Sequence, residues 1–132
     1  ASGLFTVNLQ STEWVQYSKD RSADVYPLYQ LGWFPDYSDA DNYLSPFFQT
    51  DNFLKNHFSD AEVDSLIQGQ AVETDAAKRT GQIEDIQAKV AAELSTLPML
   101  QGAQVVVAGK DVKGVDETLD ASFKFRFNVL SK

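Results

Sequence analysis

Cysteine is absent from the chain, which removes disulfide scaffolds, thiol nucleophiles and cysteine-ligated zinc together. Histidine occurs once, at position 57, with no nucleophile motif beside it. Neither a Ser-His-Asp set nor a histidine-based metal site can be built on it, and His57 reads as a surface or loop residue. No apolar run approaches the length that spans a bilayer. The opening Ala1-Ser2-Gly3-Leu4-Phe5 carries no basic stretch followed by an apolar one. A signal peptide is therefore not expected in these residues, and the chain is either cytosolic or begins downstream of its export signal. Bases are scarce, 11 against 19 acids for a net charge of −8, and they form no cluster. Such a surface repels phosphate backbones and anionic lipid, so no nucleic-acid partner is expected.

Apolar residues are ample: at 43% of 132 residues they can build a core, and one domain over residues 1–132 is the expectation. Phe5, Val7 and Leu9 alternate with Thr6, Asn8 and Gln10 as in a half-buried strand. Ser11 or Thr12 then opens a short helix through Trp14, Val15 and Tyr17. Residues 25–33 read as a second strand, with Pro27 near its start or on an edge and Gly32 at its end. Turn formers dominate residues 35–46.

Ser59 and Glu62 fit a capping box ahead of a helix through Val63, Leu66 and Ile67. Thr74 or Asp75 starts the longest helix, whose apolar stripe is Ile83, Ile86, Val90 and Leu94, with Pro98 as its stop. That stripe is expected in the core. Val105-Val106-Val107 suggests a strand buried on both faces. Phe123, Phe125, Phe127 and Val129 alternate with polar residues as a last strand, following a long irregular stretch. Strands and helices mixed in one domain predict a mixed α+β (α/β) fold, a mixed sheet with flanking helices.

Residues 29–44 read Tyr-Gln-Leu-Gly-Trp-Phe-Pro-Asp-Tyr-Ser-Asp-Ala-Asp-Asn-Tyr-Leu. This run resembles the peptide/nickel-type (oligopeptide/dipeptide) family of ABC importer solute-binding proteins. The family pattern is Gly-Trp, two variable residues, Asp-Tyr, and then Asp-Pro-Asp-Asn-aromatic-Leu. Ala40 stands where the proline is usual, which touches turn rigidity more than ligand chemistry. Further blocks follow in the family's order: Thr6 to Tyr17, two helices from Glu62 to Leu94 with Asp75 and Arg79 opening the second, Leu97-Pro98-Met99-Leu100, and Val112-Lys113-Gly114-Val115.

The resemblance implies the C-terminal part of a type II periplasmic-binding-protein lobe. Residues 1–115 would belong to the second lobe and 116–132 to a tail strand returning toward the first. It further implies an extracytoplasmic, periplasmic or lipid-anchored protein that captures oligopeptides or dipeptides and delivers them to ABC permease subunits. Its partners would be a small peptide and the N-terminal remainder of the same polypeptide, with a monomer expected and no cofactor. Relatives taking oligosaccharides or nickel chelates supply one alternative, and a stand-alone carbohydrate- or protein-binding module supplies another. No catalytic constellation points to an enzyme.

The ligand-binding residues implied are Gly32, Trp33, Asp36 and Tyr37. Asp36 matches the aspartate that pairs with the peptide α-ammonium. At about 4 Å and an effective dielectric near 20, that attraction is roughly 4 kcal/mol before desolvation. The bland alternative is a turn aspartate accepting backbone N–H groups. Trp33 and Tyr37 would line the pocket or pack as ordinary aromatics. Gly32 would leave room for ligand backbone or merely end a strand. Asp39, Asp41 and Asn42 do not make an EF-hand loop, because Leu44 and Thr50 occupy the positions that need Gly and Glu, and turn and helix-start hydrogen bonding is the better account of them.

Overall fold

A computed structural model describes residues 3–120, 122 and 124–132. The chain divides into two compact units, Ala1–Gly32 and Trp33–Lys132.

The first unit is built on helix α1 (Trp14–Ser22). Its N-cap is Glu13, whose carboxylate accepts the Val15 and Gln16 N–H groups at 2.9 and 3.3 Å, so the helix starts later than Ser11 or Thr12. Lys19 and Arg21 in the last turn complement the helix dipole. No residue of α1 is buried. An aromatic stack organises the unit instead. Tyr17 lies 5.7 Å from both Trp14 and Tyr26 between ring centroids, and its hydroxyl donates to the Gln30 carbonyl at 2.7 Å.

The second unit contains the core. A 3₁₀ turn (Ala40–Tyr43) leads into the short helix α2 (Ser45–Phe48), and α3 (Ala61–Val72) and α4 (Ala76–Glu93) follow as a hairpin. Asp60 caps α3, accepting from Glu62 N–H and Val63 N–H at 2.8 Å each. The cap is thus one residue beyond Ser59, whose hydroxyl pairs with Thr50. Asp75 caps α4 through the Lys78 N–H, in agreement with the sequence.

Ile86 and Val90 are buried with Val63 and Ile67 between the helices, joined by Leu44, Phe48 and Phe58, and Ile83 packs against the cluster. Leu94 is not in the core. It ends α4 in the left-handed conformation at φ 53° and stands exposed. The helix therefore stops on Leu94, before Pro98 is reached.

The expected α/β lobe with a mixed sheet is not found. Helix makes up 41% of the described residues and strand 2%. Among the described residues no sheet forms, and the one bridge is an isolated antiparallel pair, Lys113 with Ser131. Alternation marks a strand only where a neighbour takes up its backbone groups and another layer covers its apolar face. Residues 5–10 find neither, and Leu9 is 90% exposed.

In residues 25–33 the Val25 N–H bonds the Asp20 carbonyl at the end of α1 rather than a ladder partner, and Pro27 has no N–H to give. Val105 and Val107 are exposed, not buried on both faces. Of the last alternating stretch, Phe123 lies outside the described residues, and Phe127–Val129 closes into a 3₁₀ turn. This tail is held where Gly114, at φ 77°, lets the chain pass close to Val129: a Cβ there would stand 2.5 Å from the Val129 carbonyl oxygen.

Candidate functional site

Residues 33–43 open the second unit and hold three of the four residues singled out in the sequence: Trp33, Asp36 and Tyr37. Gly32 closes the first unit, with open space where a side chain would project.

The loop is organised by two short side chains. Asp39 caps the 3₁₀ turn by accepting the Asp41 N–H at 2.8 Å. Asn42, 3% exposed, presents one Oδ1 to both the Trp33 indole N–H and the Asp36 backbone N–H, each at 2.9 Å. The Trp33 ring meets Phe47 edge-on at 5.2 Å and Phe53 at 6.1 Å, which fixes its plane. The Asp36 carbonyl accepts Lys124 Nζ at 2.6 Å.

Asp36 is thus pinned at its backbone on both sides. Its exposed carboxylate has no hydrogen-bond or ion-pair partner among the described residues. The turn role that an aspartate here would ordinarily fill belongs to Asp39 and Asn42.

The helical hairpin reaches this loop through one guanidinium. Arg79 on α4 makes a two-pronged pair with Asp39, at 2.6 Å from Nη2 and 3.0 Å from Nη1. The same group donates from Nη2 at 2.9 Å and from Nε at 3.2 Å to the side-chain carbonyl of Gln70, which is fully buried on α3. Gln70 passes the connection on, its amide donating to Asp41 Oδ1 at 2.6 Å. The remaining oxygen of Asp41 accepts the Tyr37 hydroxyl at 2.8 Å, and Ser45 bonds Oδ1 at 2.6 Å.

Arg79 first, and then the Asp41 N–H, hold the Asp39 carboxyl below the ordinary carboxylate range against the opposing effect of burial. The Tyr37 phenol sits above its usual value. Asn42 acts to lower it, and the Asp41 carboxylate, burial and the charges of Asp41 and Asp39 outweigh that effect.

The sign of the pH dependence follows. A carboxyl whose folded pKa is depressed adds stability that is complete above its unfolded value, near pH 3.9, and is lost as pH falls through the lower folded value. Acidification from pH 6 through that lowered value is expected to release the loop from α4. The check is the Trp33 indole N–H resonance, read against pH in wild type and in Asp39→Asn. An identical acid transition in the variant would show that another carboxylate governs the loop.

The structure brings Trp33 and Asp36 together through Asn42, and Tyr37 joins them through Asp41. It does not gather all three around one cavity. An open concavity of about 270 Å³ is lined by Pro35, Tyr37, Ser38, Asp39, Ala40 and Tyr43, without Trp33 or Asp36. That is just below the usual range for small-molecule pockets, which begins at about 300 Å³. Among the described residues no group of three His, Asp or Glu side chains could hold a metal ion, and no helix is long and apolar enough to cross a membrane.

The sequence did not single out Gln70 or Lys124, and it marked Arg79 only as a member of a motif and Asn42 as a turn residue. Gln70 left one signal. It falls on the buried stripe of α3, at the spacing of Val63 and Ile67, where a polar residue needs a partner. No protein-family model, no curated protein and no solved structure matches the chain.

Proposed function

We propose that this chain is part of the extracytoplasmic solute-binding component of an ABC importer for oligopeptides or dipeptides, and that Asp36 accepts the α-ammonium of the ligand. The observation that carries the reading is the Asp36 carboxylate: exposed, unpartnered among the described residues, and mounted on a backbone held at both its N–H and its C=O. A carboxylate on a fixed backbone has only its own side-chain freedom to lose on meeting an ammonium, and the bond it makes is charge-assisted. Tyr37 borders the concavity beside it, which suits a ligand side chain.

The protein binds and hands over its ligand to permease subunits, with no reaction on it and no cofactor. The exposed apolar residues Phe5, Val7, Leu9, Val105 and Val107 are surfaces for the N-terminal remainder of the polypeptide, which completes the ligand cavity. The isolated chain therefore folds and binds peptide weakly or not at all.

The test is a native mass spectrum of the protein purified from its natural host, before and after denaturation. The expected species is several times heavier than 14.7 kDa and releases small peptides. In the same parent protein Asp36→Asn is expected to weaken peptide binding about 100-fold, because the ammonium then faces a neutral amide. A heavy parent releasing a sugar or a metal chelate would keep the importer and change the ligand. A mature species of 14.7 kDa with nothing bound would overturn the importer reading and leave a stand-alone binding module.

A further inference from the structure

We propose that Arg79 is the positioning residue of this site: its guanidinium, clasped to Asp39 and Gln70, fixes the loop backbone from which the Asp36 carboxylate projects toward a ligand ammonium. This rests on the reading of Asp36 given above.

Two hydrogen-bonded routes leave Arg79, and they end on adjacent residues. In one, Arg79 grips Asp39, which caps the turn carrying Asn42, and Asn42 holds the Asp36 N–H. In the other, Arg79 donates to Gln70, whose amide holds Asp41, and Asp41 takes the Tyr37 hydroxyl. The Asp39 N–H, bonded to the Tyr37 carbonyl at 3.0 Å, joins the routes within the loop.

The root of both lies at the end of the first turn of α4, three residues after Ala76. The two carboxylates nearest Asp36 in the loop, Asp39 and Asp41, are thereby both engaged. Asp36 is left as the one acid of the loop with an unengaged side chain among the described residues. A planar, five-donor guanidinium serves Asp39 and Gln70 at once, which an ammonium cannot reproduce in full.

The test uses the whole chain and no peptide. Hydrogen exchange of the Asp36 and Ile86 amides is followed by ¹⁵N NMR in wild type, Arg79→Gln, Arg79→Lys and Asp39→Asn. The expected result is exchange at Asp36 faster by about tenfold or more in Arg79→Gln and Asp39→Asn, with Ile86 in α4 unchanged and Arg79→Lys intermediate. An unchanged Asp36 amide in both variants would overturn the proposal. So would an equal acceleration at Ile86, which marks a general loss of stability, or a lysine variant no better than glutamine.

If Arg79→Gln does not fold, Asp39→Asn decides, because it keeps the side-chain shape while removing the charge and one of the two acceptor oxygens that meet Arg79. Failure of both to fold would make the clasp a stability element and also overturn the proposal. A parent protein that ignores trialanine while the amides behave as expected would reject the peptide reading alone and leave Arg79's hold on the loop intact.

Discussion

Replacing Ile86 by alanine is expected to lower the free energy of unfolding by about 3 kcal/mol. Ile86 has no exposed surface, and it sits on α4 where that helix meets Val63 and Ile67 of α3. The cluster around it draws on both helices and on the residues that follow the candidate loop, Leu44 and Phe48. A void there has no flexible wall to collapse into, so the cavity cost adds to the lost transfer energy. Urea denaturation followed by circular dichroism reads the effect as a lower midpoint at constant slope. Leu100→Ala, at a position 90% exposed, is the control and should stay within about 0.5 kcal/mol of wild type. A loss at Ile86 no larger than the control's would mean that the hairpin is not the core of the second unit.

The second large effect is expected at Gln70. Gln70→Leu keeps the volume roughly constant and removes a buried donor and acceptor together. Asp41 Oδ1 would keep only the Ser45 hydroxyl, and Arg79 would keep Asp39 and the Gln70 backbone carbonyl. The carboxylate and the guanidinium then lose partners that water cannot easily replace, at a cost of about 2 kcal/mol. If Gln70 were only filling space between helices, leucine would be neutral or stabilising. The same denaturation experiment separates these outcomes, and a variant as stable as wild type would remove Gln70 from the network.

The parts of the chain legible in the sequence were those fixed by neighbours a few residues away. The α3 and α4 helices announced themselves by acids at their starts and by apolar spacing of three and four, and the α4 cap fell on Asp75 as expected. The α3 cap moved from Ser59 to Asp60 because two adjacent oxygens compete for the same N–H groups and Thr50 engages Ser59. Residues 35–46 were recognisable as turn-rich, and the 3₁₀ turn that Asp39 caps fits the turn and helix-start hydrogen bonding expected of Asp39, Asp41 and Asn42.

The four strands failed for one reason. Alternation in Phe5-Val7-Leu9, in residues 25–33 and in the Phe125-Phe127 tail, like the apolar run Val105–Val107, states which face is apolar without stating what would cover it. The clasp between Arg79 and Asp39 was equally invisible, since nothing periodic relates residues 40 positions apart. Only the geometry of the hairpin brings them within reach. The reading of Asp36 stands differently. The sequence pointed to it through a motif, and the structure places its carboxylate in the open with its backbone tied down, an arrangement no composition or spacing rule contains.

The same separation in sequence sets an order of assembly. Only three residues, 73–75, join α3 to α4, so the hairpin closes a short loop and can zip locally at small entropic cost. Arg79 and Asp39 must close a far longer one, and their bond has a scaffold to land on only after α4 has docked against α3. On that ground the loop bearing Asp36 is expected to be fastened after the hairpin, and its amides to exchange faster than those of α4. A recognition surface with that history can be remodelled while its foundation stands still. Changes at an exposed position of the loop such as Asp36 can alter what is bound without endangering the core, whereas changes at Ile86 or Val63 put everything above them at risk.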